Sequence, residues 1–168
     1  MTILGIDPGF SVTGFGVLKK QNSTIVLLTD YGDLRMSSTK SLAVRIGIFH
    51  DFFTEKIERW QITDLALETP FLGKNSQTFL KLGYLRGILY LLANRHQLTL
   101  HEFSPREVKQ SVTGFGGADK DQVARVILRI FPRIKAPDKQ DVTDALAVTL
   151  CGLWRGNQTS PRLRTGRL

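Results

Sequence analysis

Sulfur is scarce in this chain of 168 residues: it has one cysteine, Cys151, and two methionines. A lone thiol excludes an intramolecular disulfide and a cysteine-built zinc site, and it suits a reducing compartment, so the cytoplasm is expected. Long apolar runs are missing as well. The richest, residues 87–93, falls far short of the ~20 residues that span a bilayer, so no membrane association is expected. No secretory leader is expected either, because Asp7 stands where its apolar segment would lie. Repeats and low-complexity tracts are absent. Acid is in short supply: 15 Asp and Glu face 23 Lys and Arg, a formal net charge of +8. Such a balance favours polyanionic partners, since neutralised phosphates release counterions. What remains is an ordinary globular composition, 42% apolar, sufficient for the core of one domain.

The apolar pattern alternates between strand and helix periods. Residues 2–6 form a short apolar run that ends at Asp7-Pro8-Gly9, a strand and its turn. Residues 12–18 and 25–34 read as two further strands of an antiparallel meander. Leu42, Ile46, Phe49, Phe53, Ile57 and Trp60 then recur every three or four positions, one face of a long helix. Residues 63–68 are apolar on both faces, as in a buried parallel strand, and the intervening helix implies a crossover. A helix over 76–95, a strand over 98–103 and two shorter helices follow. Ser104-Pro105-Arg106-Glu107 and Asp119 mark the starts of those two. The last helix starts near Asp141 and is expected to end at Gly156. The fold class is therefore α/β, with a mixed sheet, antiparallel at one edge, flanked by helices.

Acids at element ends carry the chemistry. Asp7 closes the first strand and Glu68 the parallel one, each after an apolar run where charge is costly. Strand ends of an open α/β sheet share one edge, a usual place for a site. Asp141 and Asp144, three apart, share a helix face at about 5–6 Å between Cβ atoms. Singly, each acid reads more readily as a turn residue, a cap or a partner of the helix dipole. Converging in a basic chain, they would need hard cations. Magnesium fits, and two ions about 3.5–4 Å apart can clamp an in-line displacement at phosphorus.

Around these acids, Lys74, Lys81, Arg86, Lys109 and Lys120 could form a basic track or simply solvated faces. Phe71, beside Pro70 and Gly73, reads from its own context as a loop anchor. Gly114–Gly117 lacks the residues of a nucleotide P-loop and reads as a helix terminator. His50, His96 and His101 show no metal-ligand spacing and are assigned to structure, while Phe49 and Phe53 read as core or a dimer face.

Several blocks resemble the RuvC family of Holliday-junction resolvases. Gly5-Ile6-Asp7-Pro8-Gly9 with Thr13-Gly14-Phe15-Gly16-Val17 is similar to that family's opening hairpin. Glu68-Thr69-Pro70-Phe71 leading to Lys74-Asn75 resembles the segment of its second acid, and Leu82-Gly83-Tyr84-Leu85-Arg86-Gly87 its following helix. Arg106-Glu107-Val108-Lys109-Gln110, Gly114-Phe115-Gly116 and Lys120 resemble its DNA-binding stretch, and Asp141-Val142-Thr143-Asp144-Ala145-Leu146-Ala147 its closing acidic pair.

The resemblance implies a ribonuclease H-like, five-stranded mixed sheet over residues 1–155; residues 156–168, with arginines among Gly, Ser, Thr and Pro, read from composition as a flexible basic tail. It implies a magnesium-dependent endonuclease, two ions per site with manganese able to substitute. Such an enzyme acts as a homodimer that nicks a four-way DNA junction symmetrically, coupled to the RuvA and RuvB branch-migration proteins. Asp7, Glu68, Asp141 and Asp144 match the metal-binding acids, Phe71 a base-stacking aromatic, and Lys109 and Lys120 lysines at the cleaved backbone. Thr69 departs from the polar amide or acid of many relatives. Two other classes stay open: a non-catalytic branched-DNA-binding module, and one lobe of an actin-like ATPase, whose Gly-x-Asp-x-Gly hairpin is similar.

Overall fold

The computed structural model describes residues 1–22, 25–70, 76–134 and 141–159. Five strands and five helices follow one another among them: β1 (Thr2–Asp7), β2 (Val12–Lys20), β3 (Val26–Arg35), α1 (Leu42–Trp60), β4 (Asp64–Glu68), α2 (Ser76–Arg95), β5 (Thr99–Phe103), α3 (Pro105–Thr113), α4 (Lys120–Ile130) and α5 (Asp141–Thr159). The strands make one sheet in the order β3-β2-β1-β4-β5. β1–β2 and β2–β3 pair antiparallel, whereas β1–β4 and β4–β5 pair parallel. The expected mixed sheet is present. β3 and β4 do run the same way, but β2 and β1 lie between them, so the connection through α1 crosses two strands.

Local chemistry sets the element ends. The Ser41 hydroxyl accepts from Val44 N–H to start α1, and Gln61 closes it in the left-handed region at φ 49°. α3 and α4 each carry the reciprocal capping box, Ser104 with Glu107 and Asp119 with Gln122. Gly114, at φ 77°, ends α3 where the sequence placed its stop. α5 differs from expectation: it runs through Gly156 to Thr159. A helical glycine costs only about 1 kcal/mol, and no proline intervenes before Pro161. Residues 156–159 of the expected flexible tail are therefore helical, and 160–168 lie outside the described residues.

The pleat sorts side chains into two layers. Leu4, Ile6, Phe15, Val17, Leu65 and Leu67 face α1 and α2, where Phe49, Phe53, Leu85, Leu89 and Leu92 complete one core. Ile3, Leu18 and Ala66 face the other way, against Leu146, Val148 and Leu150 of α5 and residues of α3 and α4. Phe49 and Phe53 are fully buried, which settles their place as core rather than a dimer face. No helix among the described residues is long and apolar enough to cross a membrane.

Candidate active site

Parity puts two of the four acids on the same side. On β1, Ile3, Gly5 and Asp7 share a face; on β4, Ala66 and Glu68 share one. Ile3 and Ala66 belong to the α5 layer, so Asp7 and Glu68 project toward α5. The parallel register Ile6↔Leu67 then sets the two acids next to one another in line at the carboxyl ends of adjacent strands. The edge is continued by Thr69 N–H, which donates to Phe103 O at 2.7 Å.

Glycines bring α5 down onto these strands. A Cβ on Gly5 would lie 2.1 Å from Thr149 Oγ1, one on Gly16 2.5 Å from Leu146 Cδ2, and one on Gly14 1.9 Å from the Asp141 carbonyl oxygen. Gly14 is also the cross-strand partner of Asp7. The missing side chain at 14 is thus what lets the first turn of α5, with Asp141 and Asp144, descend beside Asp7. Across the turn, Thr13 Oγ1 donates to Gly9 O at 2.8 Å and accepts from Gly9 N–H at 3.1 Å, fixing the chain that leaves Asp7.

Electrostatics record the convergence. Burial, then the charges of Asp144, Glu68 and Asp141, push the Asp7 carboxyl up to about 7. Burial and Asp144 raise Glu68 as well, opposed by Lys120, Lys109 and Arg86. Lys120 Nζ donates to Asp144 Oδ2 at 2.8 Å, and that bond together with the acids raises the ammonium pKa. The four acids and two lysines predicted from sequence are brought to one place.

Among the described residues no group of three or more His, Cys, Asp or Glu side chains is arranged to hold a metal ion; Asp144 is paired with Lys120 instead. The donors nevertheless fit a hard cation. All four offer carboxylate oxygen, the ligand type of magnesium, and their repulsion is what a divalent charge would remove. Lys120 is largely solvent-exposed and free to yield Asp144 at small cost.

The remaining expected contacts divide. Lys81 is exposed on α2 and Lys109 is half-buried on α3. Phe71 and Lys74 lie outside the described residues. Arg86 corrects the sequence reading: it joins no exposed basic track but is only 6% exposed. Its guanidinium donates to Glu68 O, to Tyr90 Oη and to the Glu102 carboxylate. Sequence reasoning missed Glu102 and Tyr90 entirely. The signal was there: 86 and 90 are one turn apart, and 86 falls on the stripe of Leu82, Leu85 and Leu89, where a charge needs a partner. Phe115, which falls in the block that resembles the DNA-binding stretch, is 62% exposed, at the lip of a groove of about 260 Å³ with Arg125 and Arg129.

Comparison with known proteins agrees with this geometry. Residues 3–152 match the family described as crossover junction endodeoxyribonuclease RuvC. A protein of that name from Pelodictyon phaeoclathratiforme is 41% identical over 99% of this chain and 87% of its own length. One from Chlorobium phaeobacteroides is 44% identical over 95% and 86%. Among solved structures, Thermus thermophilus RuvC in complex with a Holliday junction substrate superposes at a TM-score of 0.87, with 26% identity over 97% of this chain and 99% of that one. The yeast mitochondrial Holliday junction resolvase Ydc2, at 13% identity and a TM-score of 0.64 over 89% and 76%, shares the fold. The sheet and its helices are the ribonuclease H-like architecture.

Proposed function

The chain belongs to the RuvC family of crossover junction endodeoxyribonucleases, and on that premise we propose that it resolves four-way DNA junctions by paired, symmetric, metal-assisted hydrolysis of phosphodiesters. One observation carries the reading: strand register and the close approach of α5 gather four acids from β1, β4 and α5 beside Lys109 and Lys120, where burial and then their mutual charge raise Asp7 to about 7. A pure DNA-binding module has no use for carboxylates aimed at phosphate.

Asp7, Glu68, Asp141 and Asp144 would hold magnesium, two ions per site, with manganese as a substitute. Bound there, the ions supply Lewis-acid stabilisation of charge developing at the phosphate. The protein's own residues do the rest. Glu68 and Asp7, at the carboxyl ends of adjacent strands, would fix where the cations sit. Lys120 releases Asp144 and takes a phosphate oxygen, and Lys109 offers a second cation on the same side. Lys81 extends the positive surface along α2, and Phe71 and Lys74, by their match to the family, engage the opened crossover.

Paired nicking of a two-fold junction calls for a two-fold dimer. The outer face of α2 supports this: Leu80, Tyr84 and Leu91 are exposed, and Cβ atoms added at Gly83 or Gly87 would meet nothing within 4 Å. RuvA and RuvB are the expected partners and the cytoplasm the expected location.

The test is cleavage of a synthetic four-way junction with magnesium by wild type, Asp7→Asn and Glu68→Gln. Wild type cuts. Each variant loses about a thousandfold in rate, the scale of several kcal/mol of lost charge stabilisation, yet still binds, because affinity comes mainly from cations. Equal cutting by all three defeats the assignment.

A further inference from the structure

Arg86 is a full charge placed inside the protein, and its partners explain why. From α2 the guanidinium reaches the carboxyl ends of the parallel neighbours β4 and β5. Nη1 donates to the Glu68 carbonyl at 2.5 Å. Nη2 donates to Tyr90 Oη at 3.1 Å and pairs with the Glu102 carboxylate. Tyr90 Oη donates to the same Glu102 oxygen at 2.8 Å. Glu102 stands opposite Leu67 in the β4–β5 register, on the α2 side of the sheet. Glu68 is therefore held from behind: its backbone carbonyl is taken by Arg86, while its side chain points through to the α5 side and the acid cluster.

From this geometry we infer that Arg86, braced by Glu102 and Tyr90, is a positioning residue for Glu68. The inference rests on the reading of Glu68 as a metal-binding acid. Glu68 needs such a brace. It is the last residue of β4, its carboxylate is repelled by Asp144, and a strand end under that load relaxes by moving its backbone. The Thr69–Phe103 bond fixes one side of that peptide group, and Arg86 fixes the other. Stability alone is a poor reason for the arrangement, because an ion pair whose carboxylate is 36% exposed contributes little. A planar fork is what spans a carbonyl and a carboxylate at once, and lysine cannot do so.

The experiment uses the full chain with Arg86→Lys, Arg86→Gln, Glu102→Gln and Glu68→Gln. Three quantities are read: manganese affinity by calorimetry without DNA, the magnesium concentration for half-maximal junction cutting, and the melting temperature. Residues that orient metal ligands typically change affinity by about 10–100-fold. Arg86→Lys and Arg86→Gln should weaken manganese binding by about tenfold and raise the magnesium requirement in parallel. Glu102→Gln, which leaves Arg86 on the carbonyl but loosens its brace, should do so by about two- to fivefold and keep the measurement available if the Arg86 variants fail to fold. Excess magnesium should restore cutting by Glu102→Gln and not by Glu68→Gln. Lower melting temperatures with unaltered metal dependence would make the network merely structural and overturn the proposal. If Glu68→Gln itself binds manganese and cuts as wild type does, the assignment of Glu68 fails, and the positioning role with it.

Discussion

The two faces of the sheet are built on opposite rules. Against α1 and α2 the strands present bulk: Phe15, Phe52 and Phe53 meet edge to face, and Phe49 packs tilted on Phe53, in a thick aromatic layer. Against α5 they present Gly5, Gly14 and Gly16, and the helix rests on strand backbone. Bulk gives stability through apolar burial and contact. Absence of bulk gives proximity: it brings charges from three elements within mutual reach despite their repulsion. Both faces carry a buried core, but only the glycine-lined one also brings the acids together.

The comparison breaks most sharply at Gly14. Gly14→Ala places a methyl on the Asp141 carbonyl, so the first turn of α5 must lift. Cutting should fall by about a hundredfold or more, since angstrom-scale misplacement costs that much, with the secondary structure retained by circular dichroism. A Gly14→Ala enzyme that cuts normally would show that close approach is dispensable. The aromatic face should answer in the opposite currency. Phe53→Ala should lower unfolding free energy by about 3–5 kcal/mol in denaturant titration, while the folded fraction, assayed at low temperature, cuts at the wild-type rate.

A smaller effect sharpens the contrast through pH. Asp7 is raised from 3.8 to about 7, so in the metal-free protein it favours the folded state below pH 3.8, and that contribution is lost as pH rises through about 7. Glu68 shifts in the same direction. Magnesium added at pH 8 should therefore raise the melting temperature more than at pH 6; an equal rise at both would mean that the ion does not relieve these acids. The smallest effect belongs to a pair outside both layers' chemistry. Asp64, at the start of β4, meets the buried His101 ring at 2.8 Å and is lowered, its bonds to His101 and Thr63 outweighing burial. Its contribution is present above its ordinary pKa and lost as pH falls through the depressed one. Asp64→Asn should cost about 1 kcal/mol at pH 7 and less at acid pH, without altering the magnesium requirement.

Much of this was legible because it is local. Strand and helix periods, the Ser104 and Asp119 caps and the Gly114 stop depend on neighbours within a few residues. Asp7 and Glu68 stood out because they ended apolar runs. Arg86 misled because its charge suggested solvent while its position on the Leu82–Leu85–Leu89 stripe pointed inward, and only its partners decide between them. Gly156 misled because a helix end is a balance, and glycine's cost there is small enough for the helix to continue.

The order of residues by itself determined which segments form strands and helices, that acids fall at their ends, and that the whole favours polyanions. Tertiary structure alone decided which side of the sheet each acid faces, how near α5 comes to Asp7, and that Arg86 grips Glu68 from the opposite layer. The physical reason is range. Periodicity and capping act along the chain, whereas the burial and neighbouring charges that raise Asp7 exist only where distant segments touch.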